Sequence, residues 1–242
     1  MSDLITLYDI PSQLPEQAWS PNVWKARFSL NLKGLKYKTV WVEFPDIEAL
    51  YKQLSLEPTE PRVPKYTLPV IHDPSTNRAI SNSVEIARYL DATYPATTLL
   101  FPPGSEALQG IEDRNAFESL QYIMLPITCV NLNPVSETYY RRTRETRYGK
   151  RLEELSPIGL QREEHWKRVQ EAFGVVASLL EGKKFVLGDT ISFADVTIAS
   201  WVLWIKRSIG AQSQEWKDIE EWNGGRWSTY IAQFKEYEKV IV

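Results

Sequence analysis

An α/β N-terminal domain of order β-α-β-α-β-β-α, followed by an all-α C-terminal domain, is the fold class this sequence predicts. Three observations carry it. Short β-favouring apolar runs alternate with helical spacings over the first 95 residues, a proline-rich stretch interrupts the chain at Phe101-Pro102-Pro103-Gly104, and the remainder reads as helix after helix. At 242 residues there is enough chain for two full cores. The expected division is residues 1–95, a linker at 96–105, and residues 106–242.

Leu4 to Tyr8 reads as a first buried strand. Pro21 stands where the first residue of a helix belongs, and Val23, Arg27, Leu30 and Gly34 mark the turns of that helix. Tyr37 to Phe44 alternates, with Val40, Val42 and Phe44 on one side and Thr39, Trp41 and Glu43 on the other, which predicts a second strand. A short helix is expected over Ile47 to Leu56, ended by Pro58 and Pro61. Leu68 to Ile71 and Arg78 to Ile80 make two strands joined by a turn through Asp73-Pro74-Ser75-Thr76-Asn77, and Ser83 to Tyr94 makes the next helix. Beyond the linker, Trp166, Val169, Phe173, Val176, Ala177 and Leu180 form one apolar stripe stopped by Gly182. Ser192 and Asp195 have the spacing of a capping box, and the run Phe193 to Ile205 is apolar nearly all round, so that helix belongs in the middle of the second domain.

The strand at Leu68 to Ile71 holds a residue a strand does not want. Pro69 cannot donate to a ladder. A cis Leu68-Pro69 bond explains it, because it turns the chain so that the N–H and C=O of Leu68 face outward as a pair able to hold another peptide. Close behind, the helix that begins near Ser81 to Ser83 opens with hydroxyls and unpaired N–H groups, which attract a carboxylate. Together the two halves describe a socket for a short peptide with a free carboxylate; glutathione is such a peptide.

Bulk properties narrow the rest. A net charge of −3 gives no reason to expect nucleic acid or an anionic membrane as partner. The single cysteine, Cys129, excludes an internal disulfide framework, a CxxC redox pair and a cysteine-based metal knuckle, and fits a reducing cytoplasm. No N-terminal leader and no membrane-spanning window is expected. Nine tryptophans and twelve tyrosines point to a large helical core, an aromatic ligand pocket, or both.

In both halves the chain resembles the soluble glutathione transferases. Leu68-Pro69-Val70 is similar to that family's cis-proline loop, Asn82-Ser83 with Ile86 and Tyr89-Leu90 to its acidic-Ser-x-x-Ile-x-x-Tyr-Leu signature, and Ser192-x-x-Asp195 to its buried capping box. Within the family, Ala18-Trp19-Ser20-Pro21-Asn22-Val23-Trp24 and Tyr139-Tyr140-Arg141-Arg142-Thr143-Arg144-Glu145 look most like the fungal class related to bacterial β-etherases. The resemblance implies a thioredoxin-like first domain, glutathione as co-substrate and a homodimer. It also implies that Ser83 binds the γ-glutamyl carboxylate, that the Leu68 backbone pairs with the cysteinyl unit, and that Pro69 holds the turn. Position 82 departs from the pattern: Asn82 stands where the family commonly has Glu or Asp, which weakens the link to the γ-glutamyl ammonium.

Chemistry then centres on a thiol. Its ordinary pKa of about 8.5 leaves only a few per cent ionised at neutral pH. Ser20 precedes Pro21 at the start of the first helix, so its hydroxyl and the helix N-terminus both favour a thiolate there. A hydrogen bond to a charged acceptor contributes about 1.5–3 kcal/mol, and about 1.36 kcal/mol lowers a pKa by one, so Ser20 can bring the thiol close to neutrality. Tyr8 and Ser12 are the rival activating groups; in other proteins a Ser-Pro pair simply caps its helix. The electrophile, expected to be aromatic or phenolic, belongs between the domains, with walls from Phe117 to Thr128 and later helices; Tyr122, Met124, Thr128 and Tyr139 are candidates. A non-catalytic carrier of glutathione and aromatic compounds such as plant polyphenols is the alternative. The basic run Arg141, Arg142, Arg144, Arg147, Lys150 and Arg151 has Glu145, Glu153 and Glu154 as neighbours and reads as a solvated helix face. His72 and His165 lack companions at metal spacing, so no metal is expected. Gly224-Gly225-Arg226 reads as a turn.

Overall fold

The computed structural model of the protein describes residues 4–61, 64–105 and 118–242. In the first part, strands β1 (Ile5–Asp9), β2 (Tyr37–Trp41), β3 (Val70–Asp73) and β4 (Arg78–Ser81) form one mixed sheet of order β2-β1-β3-β4. β1 and β2 are parallel, as the intervening helix α1 (Pro21–Leu32) requires, and β3 runs antiparallel to both β1 and β4. Helices α2 (Ile47–Gln53) and α3 (Ser83–Thr93) complete the expected β-α-β-α-β-β-α order of a thioredoxin-like unit. The rest is helical: α4 (Glu118–Val130), α5 (Pro134–Tyr148), α6 (Leu160–Leu179), α7 (Phe193–Ile209) and α8 (Gln214–Ala232). No helix among the described residues is long and apolar enough to cross a membrane.

β2 is shorter than its alternating sequence pattern, and the side it buries is the one with Thr39. It ends at Trp41, and its buried residues are Tyr37 and Thr39, whereas Val40 is 37% exposed. The cause is Arg27 of α1, which is fully buried and needs polar partners on this side of the sheet. Its Nη2 lies 2.7 Å from Asp9 Oδ2, and its Nη1 donates to Thr39 Oγ1 at 3.1 Å and Tyr37 Oη at 3.3 Å. Burial raises the pKa of Asp9, while the Arg27 charge opposes that rise. Phe44, expected to end the strand, instead opens a 3-10 turn. Its N–H donates to Ser136 Oγ and its ring stacks on Tyr139 (9° between planes) and packs against Tyr140 and Trp19. Burial of a phenylalanine contributes about 1.5–3 kcal/mol, which favours leaving the ladder to join the two parts of the chain.

α7 lies in the middle of the helical part, with thirteen of its residues buried. Its start is held by the expected capping box: Asp195 Oδ2 accepts the Ser192 N–H at 2.9 Å and the Ser192 hydroxyl at 2.7 Å. Asp195 Oδ1 accepts the Val186 N–H and the Tyr230 hydroxyl, each at 2.8 Å, so one buried carboxylate joins α7, α8 and the segment before the cap. The Gly224-Gly225 turn interrupts α8, where Asn223, Gly224 and Gly225 all have left-handed φ. After α8 the chain returns to the sheet: Ile241 C=O accepts both the N–H and the hydroxyl of Thr39, and Asn31 Nδ2 donates to the carbonyls of Tyr237 and Lys239.

Candidate functional site

Leu68, Pro69, Asn82 and Ser83 line one cavity of about 520 Å³ between the sheet unit and the helices. The Leu68-Pro69 bond is cis. The loop before it is fixed from behind, since the Tyr51 hydroxyl donates to the Thr67 carbonyl at 2.6 Å and Thr67 Oγ1 meets Thr59 Oγ1 at 2.8 Å. The described residues form no hydrogen bond with the Leu68 N–H or C=O, which leaves a donor and an acceptor side by side at the cavity wall. Across from them α3 begins. The sequence assigns its cap to serines, but the cap is Asn82, whose Oδ1 accepts the Val84 N–H at 2.9 Å. The Ser83 hydroxyl forms no hydrogen bond with the described residues, and Ser83 is buried beside the positive end of α3. A backbone donor–acceptor pair, a hydroxyl and a helix N-terminus around one cavity suit a peptide with a terminal carboxylate.

Ser20 caps α1 by position, with φ −62° and ψ 121°, yet its side chain makes no cap bond. It is 5% exposed, and Pro21 at the first helical position removes one N–H from the competition for its oxygen. Ser20 is not itself on the cavity wall; Asn22 and Lys25 of the same helix are. The rivals are placed differently. Ser12 is engaged in its own loop, donating to the Gln17 carbonyl at 2.9 Å and accepting the Leu14 N–H at 3.2 Å. Tyr8 is half-buried in β1, burial raises the pKa of its phenol, and it does not line the cavity. Between β1 and Ser20 the chain passes through Glu16 (φ 61°) and Gln17 (φ 60°), two non-glycine residues in left-handed backbone, each costing about 1–2 kcal/mol.

The expected segment, 117–128, and the later helices do supply wall residues, but not the ones singled out. Tyr122, Met124, Thr128 and Tyr139 do not line the cavity. Tyr122 packs edge-on against Tyr148 and beside His165, Met124 and Thr128 are buried in the core, and Tyr139 stacks on Phe44. α4 turns Glu118 and Gln121 to the cavity instead, one helical step apart on a single face. Phe117 lies outside the described residues. Glu118 holds the Tyr122 hydroxyl at 2.5 Å; that bond, with burial second, pushes the phenol up to about 12. α5 contributes Arg147 and Tyr148, and apolar lining comes from Phe173 and Val176 of α6, Ile198 and Trp201 of α7, and Trp227 of α8. Glu60, on the loop before the cis bond, adds a second acidic side chain. The aromatic residues therefore fill the core and also reach the cavity, where the rings are Tyr148, Phe173, Trp201 and Trp227.

The basic run also divides. Arg141 behaves as expected, with Glu153 at 2.8 Å and Glu145 at 3.3 Å. Arg144 does not: its guanidinium lies over the Tyr140 ring at 4.0 Å and the Phe44 ring at 4.9 Å, and burial lowers its pKa.

Comparison with known proteins covers the whole chain. Residues 19–93 match the family described as glutathione S-transferase, N-terminal domain, and residues 105–237 match glutathione S-transferase, C-terminal domain. The sequence is similar to the glutathione S-transferase-like protein ustS of Aspergillus flavus, at 33% identity over 90% of this chain and 85% of that protein. The fold is similar to the glutathione S-transferase CsGST63524 of Ceriporiopsis subvermispora in complex with glutathione, with a TM-score of 0.92, 47% identity and 98% of each chain covered. It is also similar to the glutathione transferase GSTFuA3 of Phanerochaete chrysosporium, with a TM-score of 0.90, 41% identity and 100% of each chain covered.

Proposed function

The chain belongs to the glutathione S-transferase family, and from that premise we propose that it uses glutathione as co-substrate and that Ser20 activates the thiol for attack on hydrophobic, aromatic or phenolic electrophiles. The Leu68 N–H and C=O pair with the cysteinyl unit of the bound tripeptide, Pro69 holds the turn, and Ser83 with the N-terminus of α3 takes the γ-glutamyl carboxylate. The Ser20 hydroxyl donates a hydrogen bond to the sulfur, and the N-terminus of α1 adds its positive end. The observation that carries the reading is that the Ser20 side chain, at a helix N-terminus, makes no cap bond of its own. The apolar side of the cavity, with Phe173, Trp201 and Trp227, supports a hydrophobic second substrate.

Finer assignments rest on the same reading. We place the protein in the fungal class related to bacterial β-etherases, with glutathione-dependent ether cleavage among its reactions and detoxification as its role. It acts as a cytoplasmic homodimer, with a glutathione-binding domain at residues 1–95, a linker at 96–105 and a substrate-binding domain at 106–242. A second reading, a carrier that holds glutathione and aromatic compounds without turnover, is favoured by one observation: Asn82 is neutral and its oxygen is engaged as the α3 cap.

Two measurements test these readings. Glutathione-agarose retention, followed by a panel of aryl halides, isothiocyanates and aryl ethers, separates enzyme from carrier, since the carrier binds without turnover. Ultraviolet titration of the bound thiol in wild type and Ser20→Ala tests the mechanism. Loss of the hydroxyl is expected to raise the thiol pKa by about one to two, and an unchanged titration moves the role to Tyr8.

A further inference from the structure

The segment that delivers Ser20 is held from across the molecule. Glu16 and Gln17 take left-handed backbone one after the other, and neither is a glycine. Arg207, near the end of α7, reaches the residues on either side of Gln17: its Nη2 lies 2.8 Å from Glu16 Oε2, and its Nη1 donates to the Ala18 carbonyl at 3.3 Å. The same guanidinium sits 4.8 Å from the centre of the Trp24 ring, and Trp24 Nε1 donates to the same Ala18 carbonyl at 3.4 Å. A second carboxylate, Glu238 in the C-terminal segment, also lies 2.8 Å from Nη2.

We propose that Arg207, through Glu16 and the Ala18 carbonyl, is a positioning residue that sets where the Ser20 hydroxyl stands. The inference rests on the reading that Ser20 activates the thiol. A left-handed pair built from Glu and Gln persists only where its surroundings over-determine it. Within the loop the pair is held by the Ser12 hydroxyl on the Gln17 carbonyl and by the Gln17 N–H on the Leu14 carbonyl; from across the molecule Arg207 adds the Glu16 side chain at one end and a carbonyl two residues before Ser20 at the other. An arginine fork can hold both at once, and a lysine ammonium cannot hold them in the same fixed geometry. Release of the pair lets the segment relax and moves Ser20 relative to the sulfur, and catalysis is sensitive to displacements on that scale.

Arg207 carries its own control, because Glu16 belongs to the loop and Glu238 does not. The test titrates the thiol of bound glutathione and measures kcat, KM and melting temperature in wild type, Ser20→Ala, Glu16→Gln, Arg207→Lys and Glu238→Gln. The Glu16 side chain is 56% exposed, so Glu16→Gln is expected to fold even if Arg207→Lys does not. Glu16→Gln and Arg207→Lys are expected to shift the titration toward that of Ser20→Ala. They should also lower kcat by about threefold to tenfold, with KM for glutathione within about twofold, as for a weakened rather than a lost hydrogen bond. Glu238→Gln is expected to lower the melting temperature with a smaller shift in titration than Glu16→Gln. A wild-type titration in Glu16→Gln, or an equal shift in Glu238→Gln, overturns the proposal. A wild-type titration in Ser20→Ala overturns the underlying reading and the proposal with it, so the two failures are told apart.

Discussion

Asn82 Oδ1 accepts the Val84 N–H at 2.9 Å, so the residue in front of Ser83 is the cap of α3. Its φ of 73° is a backbone that Asn and Asp tolerate better than most side chains. Asn82→Asp therefore keeps both the cap and the backbone while adding a charge at the cavity. Replacing a neutral acceptor by a charged one contributes about 1 kcal/mol more, so glutathione is expected to bind about fivefold more tightly. Calorimetric titration checks this; an unaltered Kd places the ligand's ammonium away from position 82.

Asp195→Ala removes the acceptor of four hydrogen bonds at one buried point, those from Val186, Tyr230 and the two Ser192 donors. At least about 3 kcal/mol of stability is expected to be lost, because the donors remain buried without partners. Urea unfolding measures it. Asp195→Asn, which keeps a carbonyl oxygen for Val186 and Tyr230, is expected to lose less.

His165 is buried, with Ser156 Oγ 3.0 Å from its Nδ1 and the Tyr122 ring beside it. Burial, and then the charge of Arg168, lower its pKa below the ordinary 6.5. The folded protein thus holds it neutral while the unfolded chain takes up a proton near pH 6.5. Its contribution is complete above 6.5 and is lost as pH falls below that value toward the folded pKa. Urea midpoints at about pH 7.5 and about pH 5.5 are expected to differ more in wild type than in His165→Gln. Equal differences in the two proteins mean that His165 does not contribute.

Cys129 is fully buried and its Sγ lies 3.8 Å from the Glu137 carbonyl. Burial pushes the thiol up to about 11, so almost no thiolate exists at neutral pH. Iodoacetamide is expected to leave the native protein unlabelled and to modify it once in denaturant. Rapid native labelling counts against the buried placement.

Much of this was legible in the sequence wherever a residue violated its surroundings. Pro69 inside an apolar run signalled the cis bond, and Ser192 with Asp195 signalled the buried box. Spacing alone was less informative where two faces of an element compete. The alternation of Tyr37 to Phe44 does not say which side faces inward; the sheet turns Thr39 inward because Arg27 needs its hydroxyl, a demand made ten or more residues away. Likewise, Tyr122 and Tyr139 looked like pocket walls because aromatic rings commonly are. They pack against other rings, and the cavity takes Glu118 and Gln121 from the same expected segment together with Arg147, which the sequence reads as part of a solvated basic face. Among the wall residues that were not singled out from sequence, Lys25, a cation between Trp24 and Ala26, carried a local sign of its place.

The return of the C-terminal segment to Thr39 has a consequence beyond the join itself. β2 is an outermost strand of the sheet, and such strands present unpaired N–H and C=O groups that recruit strands from other molecules. Ile241 takes the Thr39 N–H and hydroxyl, and Lys239 takes the Tyr37 hydroxyl. The protein thus carries its own blocker against edge-to-edge aggregation, formed by a few residues at the far end of the chain.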